Sequence, residues 1–159
     1  MIVISSNVPC HLSNAIVKSK EQSKEDYILE RKQYFKDKIQ NRSSIYDGLP
    51  IYLAKSNDTG DACFNKFAIG GENFHKTNKI DLRRLERFDW IFEIIDKLEI
   101  CKKCGWIKIS KDNNFDDRTD IECIVKNFKI VIVIVSKKDH YEIISAHYKR
   151  YTKTKKRTL

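Results

Sequence analysis

Residues 127–148 read N-F-K-I-V-I-V-I-V-S-K-K-D-H-Y-E-I-I-S-A-H-Y. Val131–Val135 is an unbroken β-branched run, too short for a buried helix of ordinary length, and reads as a strand covered on both faces. Ser136–His140 is a polar break of loop length, and Tyr141–Tyr148 resumes as a second strand. The pair predicts a β-hairpin at the middle of a sheet. Strict alternation puts Tyr141, Ile143, Ser145 and His147 on one face and Glu142, Ile144, Ala146 and Tyr148 on the other. A serine and a histidine then point the same way just ahead of a basic tail, a suitable place for chemistry on a polyanion.

Upstream of the hairpin, Ile121–Lys126 and the alternating Trp106–Ser110 read as two further strands, separated by the polar loop Lys111–Arg118. Before them, Leu82, Leu85, Phe88, Ile91, Phe92, Ile95 and Leu98 form one apolar stripe at helical spacing, with Asp81 as its cap. Ile51–Ala54 predicts another strand, and Cys63–Ile69 a further one before the Gly70-Gly71 turn. Ser23 caps a charged amphipathic helix that runs to Asn41. The expected fold is α+β, with one or two helices packed on a curved, mostly antiparallel four- to five-stranded sheet. We divide the chain into an N-terminal helical extension at 1–44, the α+β domain at 45–151 and a basic tail at 152–159.

At 159 residues the chain has the length of one domain with a sizeable core, and 41% hydrophobic residues argue against global disorder. Its formal net charge is +9, and Lys149, Arg150, Lys153, Lys155, Lys156 and Arg157 crowd its end with no acid among them. Such a cluster favours nucleic acid or an anionic surface, although a merely solvated tail has the same composition. No apolar run approaches membrane-spanning length and no secretory signal is evident. With no signal, the odd count of five cysteines predicts reduced thiols in a cytoplasmic compartment. Cys101-x-x-Cys104 is half a zinc knuckle without a second ligand pair, so it reads as two unconnected thiols. The chain has no phosphate loop, dinucleotide turn, H-E-x-x-H or G-x-S-x-G motif, which argues against the activities those motifs carry.

Three arginines open the predicted helix, and Arg83 and Arg87 are four apart, hence on one helical side. Guanidinium forks suit phosphate and can stabilise a pentavalent transition state. A surface salt-bridge set with Glu86 and Asp89 explains the same composition. Among the histidines, His147 shares its strand face with Ser145, His75 precedes the arginine helix, and His140 reads as an exposed turn residue. Metal-free RNA cleavage needs only a base, an acid and cations around the phosphate, so no cofactor is expected.

Asp81-Leu-Arg-Arg-Leu-Glu-Arg-Phe-Asp-Trp-Ile91, then Phe128–Val135, then Tyr141–Tyr148 with its basic tail, resemble the phage- and toxin-associated proteins of the barnase–EndoU–colicin–RelE superfamily of metal-independent ribonucleases. The resemblance covers about residues 80 to 157, half of the chain. Arg84, Arg87 and Trp90 reproduce an R-x-x-R-x-x-W-like helix core, and Ser145-Ala146-His147 stands where a T-A-Y-like motif is usual. The resemblance implies helices on a curved four-stranded antiparallel sheet and RNA cleavage to a 2′,3′-cyclic phosphate. It matches Arg84 and Arg87 to the helix arginines and Ser145 to the strand threonine, whereas His147 departs from the family's aromatic.

The combined expectation is a metal-independent endoribonuclease, a toxin acting on tRNA, mRNA or rRNA and restrained by a cognate immunity or antitoxin protein. His147, His75, Arg87 and Ser145 are the catalytic candidates, and Arg83, Arg84, Lys149 and Arg150 the phosphate- and RNA-binding ones. The competing expectations are a nucleic-acid-binding module without catalysis and an effector or regulator that uses the Ser23–Asn41 helix to bind a protein.

Overall fold

A computed structural model describes residues 12–54, 61–69, 79–98, 107–111, 117–125 and 128–150. Helix α1, Lys24–Tyr34, starts where Ser23 Oγ accepts the Asp26 amide at 3.1 Å, and Glu25 and Asp26 complement its positive end. It runs on through a π-helical turn at Phe35–Ile39. Tyr27, Phe35 and Ile39 are buried in the same core cluster as the sheet. The segment assigned from sequence as an extension therefore supplies core residues, and the 44/45 boundary falls inside a strand, β1, Ser43–Tyr46.

Strand β2, Leu49–Leu53, follows β1 through Asp47 (φ 49°) and Gly48 (φ 82°). Two consecutive positive φ angles are what a two-residue primed hairpin turn requires, and Asp-Gly is a preferred pair for it. Cys63–Ile69, expected to be extended, instead falls in helix α2, Ala62–Ala68, and its C-cap Ile69. Cys63, Phe64, Phe67 and Ala68 are its buried positions, a helical spacing that the β-prone aromatics concealed. Phe35, Phe64, Phe67 and Phe88 meet there, with ring centroids 4.8–6.1 Å apart.

The single helix expected from residue 82 to 98 is two. Helix α3, Leu82–Glu86, is capped by Asp81, whose carboxylate accepts the Arg83 amide at 2.9 Å. Arg87 leaves the helical region (φ −125°, ψ 26°), and α4, Phe88–Asp96, starts anew. Trp90, Ile91, Phe92, Ile94 and Ile95 bury most of α4.

The remaining strands are β3 (Ile107–Lys111), β4 (Arg118–Val125), β5 (Phe128–Ser136) and β6 (Tyr141–Arg150). Their meander is antiparallel, but the whole sheet has six strands in the order β1-β2-β6-β5-β4-β3. Both strand number and character differ from expectation, because the β1–β2 hairpin adds to the free edge of β6. There β2 runs parallel to β6, over Ile51–Leu53 and Tyr141–Ile143. A parallel neighbour needs a long crossover, here the path through the helices. The expected hairpin β5–β6 is central, and Ile130, Ile132 and Ile134 are fully buried towards the helices. Val131 and Val133 are also buried, on the opposite face, and neither belongs to the core cluster between sheet and helices.

Candidate active site on the open sheet face

The register of β6 decides which side chains share the open face. Val133 pairs with Ser145 but Ile134 pairs with Ile143, so Ile144 is an extra residue, a β-bulge. Alternation changes phase across it. Tyr141, Ile143, Ala146 and Tyr148 point towards the helices, and Glu142, Ser145 and His147 point away. The strict alternation expected from sequence is thus corrected for the first half of the strand, while Ser145 and His147 still share a side. His147 lies opposite Val131. Burial lowers its pKa from the ordinary imidazole value, and the positive charges of Arg84 and Lys149 push it the same way.

The three helix arginines go to different places. Arg83 is exposed and bonds back to Asp81 at 3.2 and 3.3 Å. Arg84 donates from Nη1 to the Ala146 carbonyl at 2.9 Å, on the stretch of β6 beyond its pairing with β2. Arg87 is only 8% exposed. Its guanidinium lies 4.1 Å from the Phe128 ring centroid and 5.2 Å from that of Trp90. Arg87 Nη1 bonds Glu86 Oε1 at 2.7 Å and the Arg83 carbonyl at 3.1 Å. The Tyr148 hydroxyl donates to the Arg87 carbonyl at 3.1 Å, closing the break between α3 and α4. The helix break at Arg87 separates it from Arg83, so the expected common side does not form. Lys149 is exposed, opposite Lys129. Arg150 ends β6, and its side chain, together with His75, Cys101 and Cys104, lies outside the described residues.

A second cluster sits at the hairpin end of the same face. The turn closes by a bond from the Lys137 amide to the His140 carbonyl at 2.8 Å. The His140 imidazole has Nε2 2.9 Å from Glu142 Oε2 and Nδ1 2.8 Å from Asp139 Oδ1. Its ring stacks on Tyr52, with centroids 4.8 Å apart and planes 13° from parallel. Glu142 first, then Asp139, raise its pKa above the ordinary imidazole value by bonding the charged form. Asp139 is correspondingly lowered by the His140 bond.

Registers put Glu142, the partner of this imidazole, in line with an arginine. Arg118 pairs with Val135, Val135 with Glu142, and Glu142 with Tyr52, so these four form one row across four strands. Two strand spacings separate the backbones of Arg118 and Glu142, about 10 Å, with Val135 between them. Arg118 Nε also lies 3.3 Å from Asp120 Oδ1. His140, expected as an exposed turn residue, is instead clamped and partly covered. The available signal was Asp-His-x-Glu at a hairpin, which brackets an imidazole with acids. The stack on Tyr52 had no local signal.

The cavity of ≈ 690 Å³ lies elsewhere, between β1 with its turn (Ser44–Gly48), the end of α4 (Ile95, Asp96, Leu98) and Ile109 of β3. Strands from opposite sheet edges line it, so the sheet curls around α4. Its wall is apolar with two aspartates, Asp47 and Asp96, a poor match for a polyanion. Size alone makes a cavity a default site, but the convergent ionisable groups here are on the open face.

No protein-family model, curated protein or solved structure gives a significant match to the chain. Among the described residues, no group of three or more His, Cys, Asp and Glu side chains is arranged to hold a metal ion. No described helix is long and apolar enough to cross a membrane.

Proposed function

We propose that the chain is an endoribonuclease that cleaves RNA on the open face of its sheet, leaving a 2′,3′-cyclic phosphate. The observation that carries this reading is His140, held by Glu142 and Asp139 and stacked on Tyr52, with Arg118 on the same face in the row of Glu142. An imidazole whose pKa is raised keeps its proton to higher pH than an ordinary one, which suits the role of general acid.

In the proposed step the RNA 2′-oxygen attacks its own phosphorus and forms the cyclic diester. The bond to the 5′-oxygen of the next nucleotide breaks, and that oxygen takes its proton from His140. Arg118 holds the non-bridging oxygens as negative charge builds on them. The 2′-hydroxyl proton passes to a carboxylate of the same face, where Glu142 and Asp120 are the candidates. No bound metal is required for this proton balance. Ser145 and His147 lie further along β6, and Arg87 in this reading stabilises the fold.

The test is incubation of the purified chain with a single-stranded RNA in the presence of EDTA. Cleavage to cyclic phosphate ends is expected, with His140→Ala at least a hundredfold slower and Glu142→Gln and Asp120→Asn identifying the base. Intact RNA overturns the enzymatic reading and leaves a nucleic-acid-binding module. A toxin role extends the same proposal. Expression of the active chain would then arrest growth wherever it meets cellular RNA, His140→Ala would relieve the arrest, and a dedicated inhibitor would be needed by the producing cell.

A further inference from the structure

The open face has a second cationic group, at the opposite end of β6 from His140. Because Glu142 pairs with Val135 and His147 with Val131, the two ends stand four residues apart along β5. At a rise of ~3.4 Å per residue this is about 14 Å. That is too far for His140 and His147 to act on one phosphodiester, so the two ends meet different parts of one strand.

The far end has features of an anion site. Beyond Ile143, β6 has no β2 partner, and the Arg84 guanidinium caps that open edge through the Ala146 carbonyl. The Ala146 carbonyl takes only one N–H of the fork, and Asp81 stands 3.9 Å from Nε, beyond hydrogen-bond range. The buried, unsatisfied side-chain atoms among the described residues include Arg87 Nε and Arg31 Nη2 but no atom of Arg84. The donors of Arg84 that Ala146 does not take are therefore not sealed from solvent, although the side chain is only 13% exposed, whereas Arg87 Nε is enclosed. Lys149 stands two residues beyond His147 on the same face with Lys129 opposite it on β5, while Arg118 starts from the row of Glu142 and bends towards Asp120. Glu122 and Asp120 partly offset them through ion pairs with Lys129 and Arg118. The charged form of His147 is disfavoured first by burial and then by Arg84, Lys149 and Arg118, with Asp120 opposing.

We propose that Arg84, His147 and Lys149 form a phosphate subsite for a nucleotide remote from the scissile bond, so that the enzyme selects oligonucleotides over dinucleotides. This rests on the ribonuclease reading for its substrate class, and a cationic groove along the backbone is one element by which single strands are held. A phosphate there relieves the repulsion around His147 and is bonded by the Arg84 fork.

The experiment separates the subsite from the chemistry by using a 2′-deoxy oligonucleotide of about eight nucleotides, within the range such tracks accommodate, which binds but lacks the attacking hydroxyl. Its affinity is measured against salt for the full chain, Lys149→Gln and Arg84→Lys, with a melting curve confirming that each variant is folded. For Lys149→Gln the plot of log affinity against log salt is expected to flatten by about 0.7, the value for one lost phosphate contact on a single strand. Arg84→Lys keeps the charge and loses the fork, and is expected to weaken binding about tenfold at fixed salt. The His147 proton resonance should titrate at higher pH when the oligonucleotide is bound. With RNA substrates, the ratio of kcat/KM for an oligonucleotide to that for a dinucleoside monophosphate should fall about tenfold in both variants. Unchanged affinity, salt slope and length preference in both variants overturn the subsite even if RNA is cleaved. Altered slopes without any cleavage support the subsite and overturn the chemistry.

Discussion

Tyr52 and His140 lie face to face, 4.8 Å between centroids, although one belongs to β2 and the other to the turn before β6. The parallel pairing of β2 with β6 creates this contact, since Tyr52 stands beside Glu142, the residue that bonds His140. The ring orients the imidazole and the carboxylate charges it. An aromatic stack of this kind contributes ~0.5–1.5 kcal/mol beyond area burial. Tyr52→Leu is expected to lower the RNA cleavage rate roughly three- to tenfold while leaving the melting temperature nearly unchanged. Undiminished cleavage would show that the stack does not position His140.

The two described histidines should titrate in opposite directions. His140 is held above the ordinary imidazole pKa by Glu142 and Asp139, and His147 is pushed below it by burial and by Arg84. Glu142→Gln removes the largest cause and should move His140 downward in a proton NMR titration, with His147 unmoved. Linkage gives each a stability consequence of its own sign. The raised His140 favours the fold below the ordinary imidazole value, and this contribution is lost as pH rises through its folded pKa. The lowered His147 favours the fold above that value, and this contribution is lost as pH falls through its own folded pKa. Coincident titration of the two rings would contradict the described environments.

Arg87 should behave as a structural residue. It stacks on Phe128 and Trp90, bonds Glu86 and accepts the Tyr148 hydroxyl at the break between α3 and α4. Arg87→Ala removes the stacking and a buried ion pair, and about 2–3 kcal/mol of stability is expected to go with them. Tyr148→Phe leaves the Arg87 carbonyl without its donor, at about 1 kcal/mol. Denaturant titration measures both. A folded Arg87→Ala protein of full stability whose RNA affinity alone collapses would return this arginine to the phosphate.

Deletion of Ile144 should be tolerated. Without it, Tyr141, Ile143, Ala146 and Tyr148 alternate regularly with Glu142, Ser145 and His147, so each keeps the face it already has. A cooperative melt is expected, within about 2 kcal/mol of the full chain. An unfolded product would mean that the twist of the bulge, and not the facing alone, holds the sheet together.

The sequence by itself determined the parts whose signals lie in adjacent residues. The β-branched run at Val131–Val135 reads as a central strand, Ser23 and Asp81 read as helix caps, and the stripe from Leu82 to Leu98 reads as a helix covering the sheet. Each rests on a period or a hydrogen bond that spans only a few residues. The tertiary structure decided the rest. Cys63–Ala68 became a helix because Phe64 and Phe67 meet Phe35 and Phe88 from distant segments. The break at Arg87 depends on two aromatic rings and a tyrosine from β5, α4 and β6. The bulge at Ile144 reverses the facing of half a strand, and the β1–β2 hairpin joins β6 only after the helices have carried the chain across. The same join turns a turn histidine into a clamped one. Facing and long-range pairing follow from the burial of whole surfaces, which no local window of residues encodes.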